Sequence, residues 1–463
     1  MIEHGYQSVV LWTDALFFLL IAASVVGLVH AWRSPPLRAS WQRVTRRPTG
    51  MAAIVVLLAF VAIGVLDSLH FRAALPPVGD KAEVVYATEV NSVLDLLLAR
   101  QRSEVERTYS APLATHSFVK ETVDLPGGGQ GREYARLKYG GAHLDDPAQH
   151  HADDVAGRVV RGALAGAALA LVMAAVLGVA VGSPVRLLLG RTRLAWRAAW
   201  ITFSLLAVVG GIVLSLAQGY HVFGTDKVGQ DVLYLTLKSV RTALMIGTLT
   251  TLVTLPLAIA LGILAGYFGG WVDDVIQYLY TVLNSIPGVL LIAAAVLMMQ
   301  VFIELHPEWF STAAERSDAR LLALCLILGM TSWTGLCRLL RGETLKLREL
   351  EYVQAARAFG VPTLRILLRH VLPNLMHIVL IALVMDFSGL VLAEAVLSYV
   401  GIGVDPNMAS FGTMINAARM ELARDPMVWW SLAAAFVFMF VLVLAANLLA
   451  DVVRDAFDPR ASE

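Results

Sequence analysis

The sequence predicts an all-α integral membrane protein of about nine transmembrane helices with one outer polar segment. Charged residues make up only 16% of the 463-residue chain and hydrophobic residues 57%, whereas soluble domains carry roughly 25% charged residues. Mean hydropathy is +0.68. Apolar runs near the ~20 residues that cross a bilayer recur at 9–31, 51–69, 159–183, 199–219, 240–266, 275–303, 320–338, 375–400 and 428–450.

The first run is read as a retained span, because Met1-Ile-Glu-His lacks the positive region of a cleavable signal. Its cations follow it instead, at Arg33, Arg38, Arg43, Arg46 and Arg47. The positive-inside rule places that loop in the cytoplasm and the N-terminus outside. Alternation then puts Arg186, Arg191, Arg193 and Arg197 inside. The same holds for the loop from Arg338 through Arg341, Lys346, Arg348, Arg357 and Arg365 to Arg369, and for the tail with Arg454 and Arg460. The short link at 267–274 carries Asp273 and Asp274 but no cation, and acids weigh little in this rule.

Four regions follow. Residues 1–70 are a two-helix membrane extension, and 71–157 an outer accessory segment. Residues 158–197 add a further span and a cytoplasmic link, and 198–463 hold the last six spans. Within the outer stretch, 82–107 shows helical periodicity at Val90, Val93, Leu94, Leu97 and Leu98. Leu125-Pro-Gly-Gly-Gly-Gln-Gly131 reads as a break. Its limited apolar content argues against an independent core.

Lys+Arg and Asp+Glu balance at 36 each, so no charge excess points to nucleic acid; the partner implied is membrane lipid. No Walker A, G-x-S-x-G or dinucleotide pattern occurs. The chain is read as a non-enzymatic transporter that binds no cofactor of its own. Cys325 and Cys337, roughly 18 Å apart on a helix, are too distant for a disulfide and read as buried thiols.

One loop stands apart. Glu351-Tyr-Val-Gln-Ala-Ala-Arg-Ala-Phe-Gly360, then Pro362 and His370-Val-Leu-Pro373, is a charged amphipathic island between two apolar runs. Small residues at Ala355, Ala356 and Ala358 admit a close partner, Gly360 reads as a left-handed cap, and Pro362 opens a new helix. Two short helices folded into one docking element are expected at about 341–373.

Gln354-Ala-Ala, Gly360 and Leu372-Pro373 have the spacing of the cytoplasmic "EAA" loop of ABC importer permeases. The chain resembles the dipeptide/oligopeptide/nickel branch of that family in six further motifs. These are His221-Val-Phe-Gly-Thr-Asp226 with Gly229-Gln-Asp231, Ala265-Gly-Tyr-Phe-Gly-Gly-Trp-Val-Asp273, Ser285-Ile-Pro287, Arg369-His-Val-Leu-Pro-Asn374, Leu392-Ala-Glu-Ala-Val-Leu-Ser-Tyr-Val-Gly-Ile-Gly403 and Asp451-Val-Val-Arg-Asp-Ala-Phe-Asp-Pro459. The resemblance implies a six-helix type I permease core over 198–463 in the bacterial inner membrane. It implies a second permease subunit, giving a heterodimer, two cytoplasmic ATPases that bind ATP-Mg, and an extracytoplasmic substrate-binding protein. It also implies that Glu351, Gln354, Ala355, Ala356, Gly360 and Pro373 couple to the ATPase, and that the cargo is peptide. Two departures stand out. Gln354 replaces the family's acid, with Glu351 one turn earlier on the same face, and Gln230 replaces an outer arginine.

Asp386, Glu394 and Asn284 lie in or beside apolar runs and are the pathway candidates by intramembrane polarity. At i, i+8, Asp386 and Glu394 fall within about 40° on a helix; an intersubunit contact is the competing role for Glu394. Asn284 and Asn447 also suit interhelical hydrogen bonding. Pro256 and Pro287 suit helix-packing kinks better than a gate. His143, Asp145, Asp146, His150, His151, Asp153 and Asp154 match no closed zinc spacing, so no metal site is assigned. The alternative function is an ion-coupled secondary transporter using the membrane carboxylates, which calls for inverted repeats that the halves do not display. A membrane sensor acting through the outer stretch would leave the core motifs idle.

Overall fold

Among the described residues, eight helices are long and apolar enough to cross a membrane, and Ala313–Ser332 with Thr334–Arg348, bent by 40°, makes a ninth when counted as one span. They coincide in order with the nine apolar runs. The computed structural model describes residues 5–75, 85–124, 130–181, 193–310 and 312–457. The N-terminal tetrapeptide, residues 125–129 of the glycine run, Arg186, Arg191 and Arg460 lie outside the described residues.

The prolines act according to what they remove. Pro256 sits within the unbroken helix Val232–Phe268. Pro287 separates Gly270–Ser285 from Gly288–Leu305 as the cap of the second helix, so the run at 275–303 is two helices. Pro373 lies in the first turn of Leu372–Val400 and is preceded by a π-turn at Leu367–Val371. Its ring clashes with the carbonyl four residues back, and the wider turn absorbs that carbonyl.

The chain divides into two compact units. One comprises Met1–Val9, Trp41–Thr242 and Ala409–Leu449; the other Val10–Ser40, Ala243–Met408 and Ala450–Glu463. In the first, Tyr6–Val9, His70–Ala73 and Asn91–Ser92 form a three-stranded antiparallel sheet, and Glu121–Asp124 pairs with Gln130–Glu133 as a hairpin. Helices Pro147–Val181 and Trp196–Leu216 pack as a pair, with the Trp200 indole N–H donating to the Ala170 carbonyl at 3.0 Å.

The helical periodicity expected across 82–107 does not give one continuous helix: among its described residues, 85–107, only Val93–Leu97 and Ala99–Ser103 are helical. Ser92 and Asp95 form a capping box that starts the first of these, and a break at Leu98 lets Leu94 and Leu98 turn inward while Leu97 stays exposed. Asp95 is also drawn to the Lys238 ammonium at 3.1 Å and the Tyr234 hydroxyl at 2.8 Å. Long-range charge pairing overrides helical periodicity here. The outer segment shares its apolar packing with its neighbours: Leu113 packs against Leu216, Ala217, Val222 and Leu233.

In the second unit, the Thr13 amide donates to Asp318 at 3.1 Å, anchoring helix Trp12–Arg33 to Ala313–Ser332. A core of Ala258, Ala265, Cys337, Leu340, Val353, Ile366, Val371 and Leu375 joins helix Val232–Phe268 to the elements that run from Thr334 to Val400. Both cysteines are free and buried.

Candidate functional site

The coupling candidates lie on a helix–turn–helix whose inner side is fixed by that core. Glu351–Ala358 is helical, and Val353, 2% exposed, points into the core. Glu351, Gln354, Ala355, Arg357 and Ala358 are exposed, and Ala356 is half-buried. Gly360 has φ +73° and ends the helix. The Val361 amide bonds the Ala356 carbonyl at 3.1 Å and the Gly360 amide the Arg357 carbonyl at 3.0 Å, a Schellman closure that needs the left-handed residue. Phe359 projects beyond the turn, 87% exposed.

The expected second helix is shorter than a separate element. Thr363–Ile366 runs through the π-turn directly into Leu372–Val400, because Ile366, Leu367 and Val371 are pulled into the core. Pro373 is exposed at this junction. Together with Pro362, Leu364, Arg365, Leu368 and Arg369 it lines a groove of about 520 Å³. The Asn374 side-chain amide donates to the Tyr352 hydroxyl at 3.1 Å and the His370 carbonyl at 2.6 Å, strapping the short helix to the start of the long one.

Gln354 has a local reason. Its side-chain amide donates to the Glu349 carbonyl at 3.2 Å and to Glu349 Oε2 at 3.3 Å. An acid at 354 would face that carboxylate with like charge and no proton to donate. The sequence offered Glu349 five residues upstream, but only the turn at 349–350 shows that they meet.

Behind this surface, Arg341 grips Asp273 through Nε at 2.5 Å and a terminal nitrogen at 2.6 Å. Those hydrogen bonds hold the Asp273 carboxyl below its usual value, against the opposing effect of burial. Arg348 donates to the Gly266 and Tyr267 carbonyls at 3.5 and 3.4 Å, the cationic complement of a helix C-terminus. Helix Thr334–Arg348 is thereby fastened at two points to the chain at 266–273.

The pathway candidates occupy three different settings. Asp386 is half-buried midway along Leu372–Val400. Glu394, 1% exposed, accepts the Ser398 hydroxyl at 2.6 Å. Asn284 is exposed at the end of Gly270–Ser285 and accepts the Thr334 hydroxyl at 3.2 Å. No grouping of three or more His, Cys, Asp or Glu able to hold a metal occurs among the described residues. His143 and Asp154 instead pair at 2.7 Å, and Asp154 also receives Arg158 and Tyr220.

Sequence reasoning missed a buried ionic cluster. His221 Nδ1 pairs with Asp231 at 2.7 Å and its Nε2 lies 3.5 Å from Glu106. Glu106 accepts the amides of Lys138, Tyr139 and Gly140 at 2.8–3.0 Å. Asp231 also caps helix Val232–Phe268 through the Leu233 amide at 2.8 Å. Gly229, φ +80°, leaves no room for a Cβ, which would sit 1.9 Å from the Glu106 carbonyl oxygen. The His221–Asp231 motif is therefore a clamp on the outer segment. Glu106, 115 residues upstream of His221 in the numbering, gave no local signal. Gln230 is exposed, so the replaced arginine costs an outer surface cation only.

Burial opposes charge on His221, yet its bonds to Asp231 and Glu106 raise its pKa from 6.5 to about 9. Burial also opposes the Glu106 carboxylate, but His221 and the three amides lower it from 4.5 to about 2. The His221 contribution is whole below pH 6.5 and disappears as pH rises through 9; that of Glu106 is whole above 4.5 and disappears as pH falls through 2. Thermal midpoints of the purified protein should plateau between these limits and decline toward pH 9, a loss on the order of 2–3 kcal/mol. The alkaline decline should be flattened in His221→Gln. An unchanged decline in that variant would remove His221 as its source.

Helices long and apolar enough to cross a membrane, with an amphipathic helix–turn–helix at 351–373, define a multi-span membrane protein. Residues 258–463 match the family of binding-protein-dependent transport system inner membrane components, and the chain belongs to that family. It is a multi-span permease subunit of a binding-protein-dependent ABC importer. It is 33% identical over 239 residues to the oligopeptide transport system permease protein OppC of Mycobacterium tuberculosis (strain ATCC 25618 / H37Rv), covering 52% of this chain and 76% of that protein. It is 33% identical over 242 residues to the glutathione transport system permease protein GsiD of Pectobacterium atrosepticum, with 52% and 73% covered. To the dipeptide transport system permease protein DppC of Lactococcus lactis subsp. cremoris it is 30% identical over 243 residues, with 52% and 65% covered.

Proposed function

We propose that this chain forms half of the translocation pathway of a peptide importer and is driven by separate ATPases docked on the surface at 351–373. The observation that carries this is the half-fixed, half-exposed helix–turn–helix: Val353 and Ile366 lock it to the core, while Ala355, Ala358 and Phe359 present a shallow outer face. Its neighbouring groove adds Arg365 and Arg369 to apolar side chains. The complete assembly holds a second permease subunit, two ATPases binding ATP-Mg and an outer binding protein. The N-terminus is outside and the C-terminus cytoplasmic in the bacterial inner membrane. Asp386 lines the pathway; Glu394 serves a structural hydrogen bond. The names of the relatives support peptides as cargo.

Proteoliposomes containing this permease, its genomic neighbours and the binding protein are expected to accumulate labelled tri-alanine only with ATP inside the compartment facing the coupling surface. Accumulation driven by an ion gradient without any ATPase would replace this reading with the secondary-transporter alternative.

A further inference from the structure

Neither the coupling surface nor the pathway uses the outer segment, yet it contains a cavity of about 790 Å³ lined by Glu106, Arg107, Thr108, Glu121, Arg136 and Lys138 among others. A second space of about 430 Å³ shares Arg107, Thr108 and Glu121 and adds Arg424. Such volumes suit a small organic ligand, and Arg107, Thr108 and Glu121 stand in the lining of both spaces.

The lining is cationic in effect. Glu106 is already committed to three amides and His221. Glu121 is held by the Ser117 hydroxyl at 3.2 Å and by Arg107 at 3.5 Å. Arg107 is 85% exposed in that long contact, so its guanidinium keeps donors for a ligand. The exposed Lys138 ammonium stands over the Tyr139 ring at 4.8 Å. Arg107 and Lys138 thus line the larger space, whose two carboxylates are already engaged, while Arg424 in the smaller one is paired with Glu421 at 2.9 Å and stands beside Asp425.

The larger space also has an extended backbone edge at an isolated β-bridge. Around the antiparallel bridge between His116 and Arg136, the Ser117 amide donates to the Ala135 carbonyl at 2.7 Å and the Leu137 amide to the Thr115 carbonyl at 3.0 Å. In an antiparallel pair this pattern turns the amide and carbonyl of Arg136 to the opposite side. Arg136 itself lines the cavity, across from 105–108. An extended chain can add to such an edge through its backbone, independently of side-chain sequence.

We infer that this cleft binds a short peptide in extended form, its backbone pairing with Arg136 and its C-terminal carboxylate held by Arg107 and Lys138. The choice of a peptide rests on the import reading above. The cleft gives the permease its own outer peptide site, separate from the membrane pathway and from the binding protein.

The test is calorimetric titration of the full-length chain in nanodiscs, without binding protein, using tri-alanine as the probe. Saturable binding is expected, roughly tenfold weaker for tri-alanine amide and roughly tenfold weaker in the double variant Arg107→Ala/Lys138→Ala. Both side chains are exposed, so the thermal midpoint of that variant should not move. Absence of binding, equal affinity for the amide, or full affinity in the double variant overturns the inference, as does displacement by an equal concentration of citrate. ATP-driven uptake by the whole transporter is scored separately. Uptake of tri-alanine with no binding at the cleft removes the cleft alone, and absence of any peptide uptake removes the import reading whatever the cleft binds.

Discussion

Replacing Ala355 and Ala358 together by glutamate is expected to abolish ATP-driven uptake while leaving the permease folded. Both alanines are exposed on the short helix Glu351–Ala358, so within this chain the added side chains meet solvent. Surface changes of this kind usually shift stability by no more than about 0.5 kcal/mol. In a docked complex the same positions are covered, and each new carboxylate is desolvated without a partner. An unpaired charge at an interface costs about 2–5 kcal/mol, enough to reduce association by roughly 30-fold or more. The expected result is loss of ATPase co-purification and uptake, with thermal midpoint and tri-alanine binding unchanged. Retained uptake would move the docking site elsewhere.

Arg341→Ala should have the second large effect, through transmission rather than docking. Arg341 holds Asp273 bidentately, and Asp273 is itself buried. Truncating one partner of such a pair costs about 3 kcal/mol because the other charge is left unpaired. The clamp joins helix Thr334–Arg348, which leads into the proposed coupling surface, to the start of Gly270–Ser285. A purely structural role predicts only a lower thermal midpoint. Transmission predicts in addition that ATP hydrolysis continues while uptake per ATP falls. The double variant Asp273→Asn/Arg341→Gln, which removes both charges, should regain most of the stability and little of the coupling. Recovery of both together would assign the pair to stability alone.

Much of this molecule is written locally. The nine apolar runs each coincide with a helix or bent helix pair long and apolar enough to cross a membrane, because hydrophobic length is decided by composition. The Gly360 cap follows from a left-handed requirement that few residues meet, and Pro287 divides a run because it cannot continue a helix. Other features depend on partners distant in sequence. The helix expected across 82–107 is cut short because Asp95 answers to Lys238 and Tyr234, some 140 positions away. The short strands pair across the first two spans, as Tyr6–Val9 with His70–Ala73, which periodicity over a few residues does not specify. In the helix–turn–helix at 351–373, the position of Gln354 was legible but its reason was not, since Glu349 reaches it only through the turn between helices. Glu394 illustrates the same limit: its place in an apolar run offered a pathway or an intersubunit contact, and gave no sign that it accepts the Ser398 hydroxyl one turn on.

The most direct measurement is crosslinking from Phe359→Cys, whose parent side chain stands 87% exposed at the tip of the turn. In membranes containing the assembled transporter, a short thiol-to-amine crosslinker should join this position to an ATPase subunit. The thiol should also react with an impermeant reagent only in inside-out vesicles. Labelling from the outer face, or crosslinks solely to the binding protein, would contradict the assignment of residues 351–373 as the cytoplasmic coupling surface.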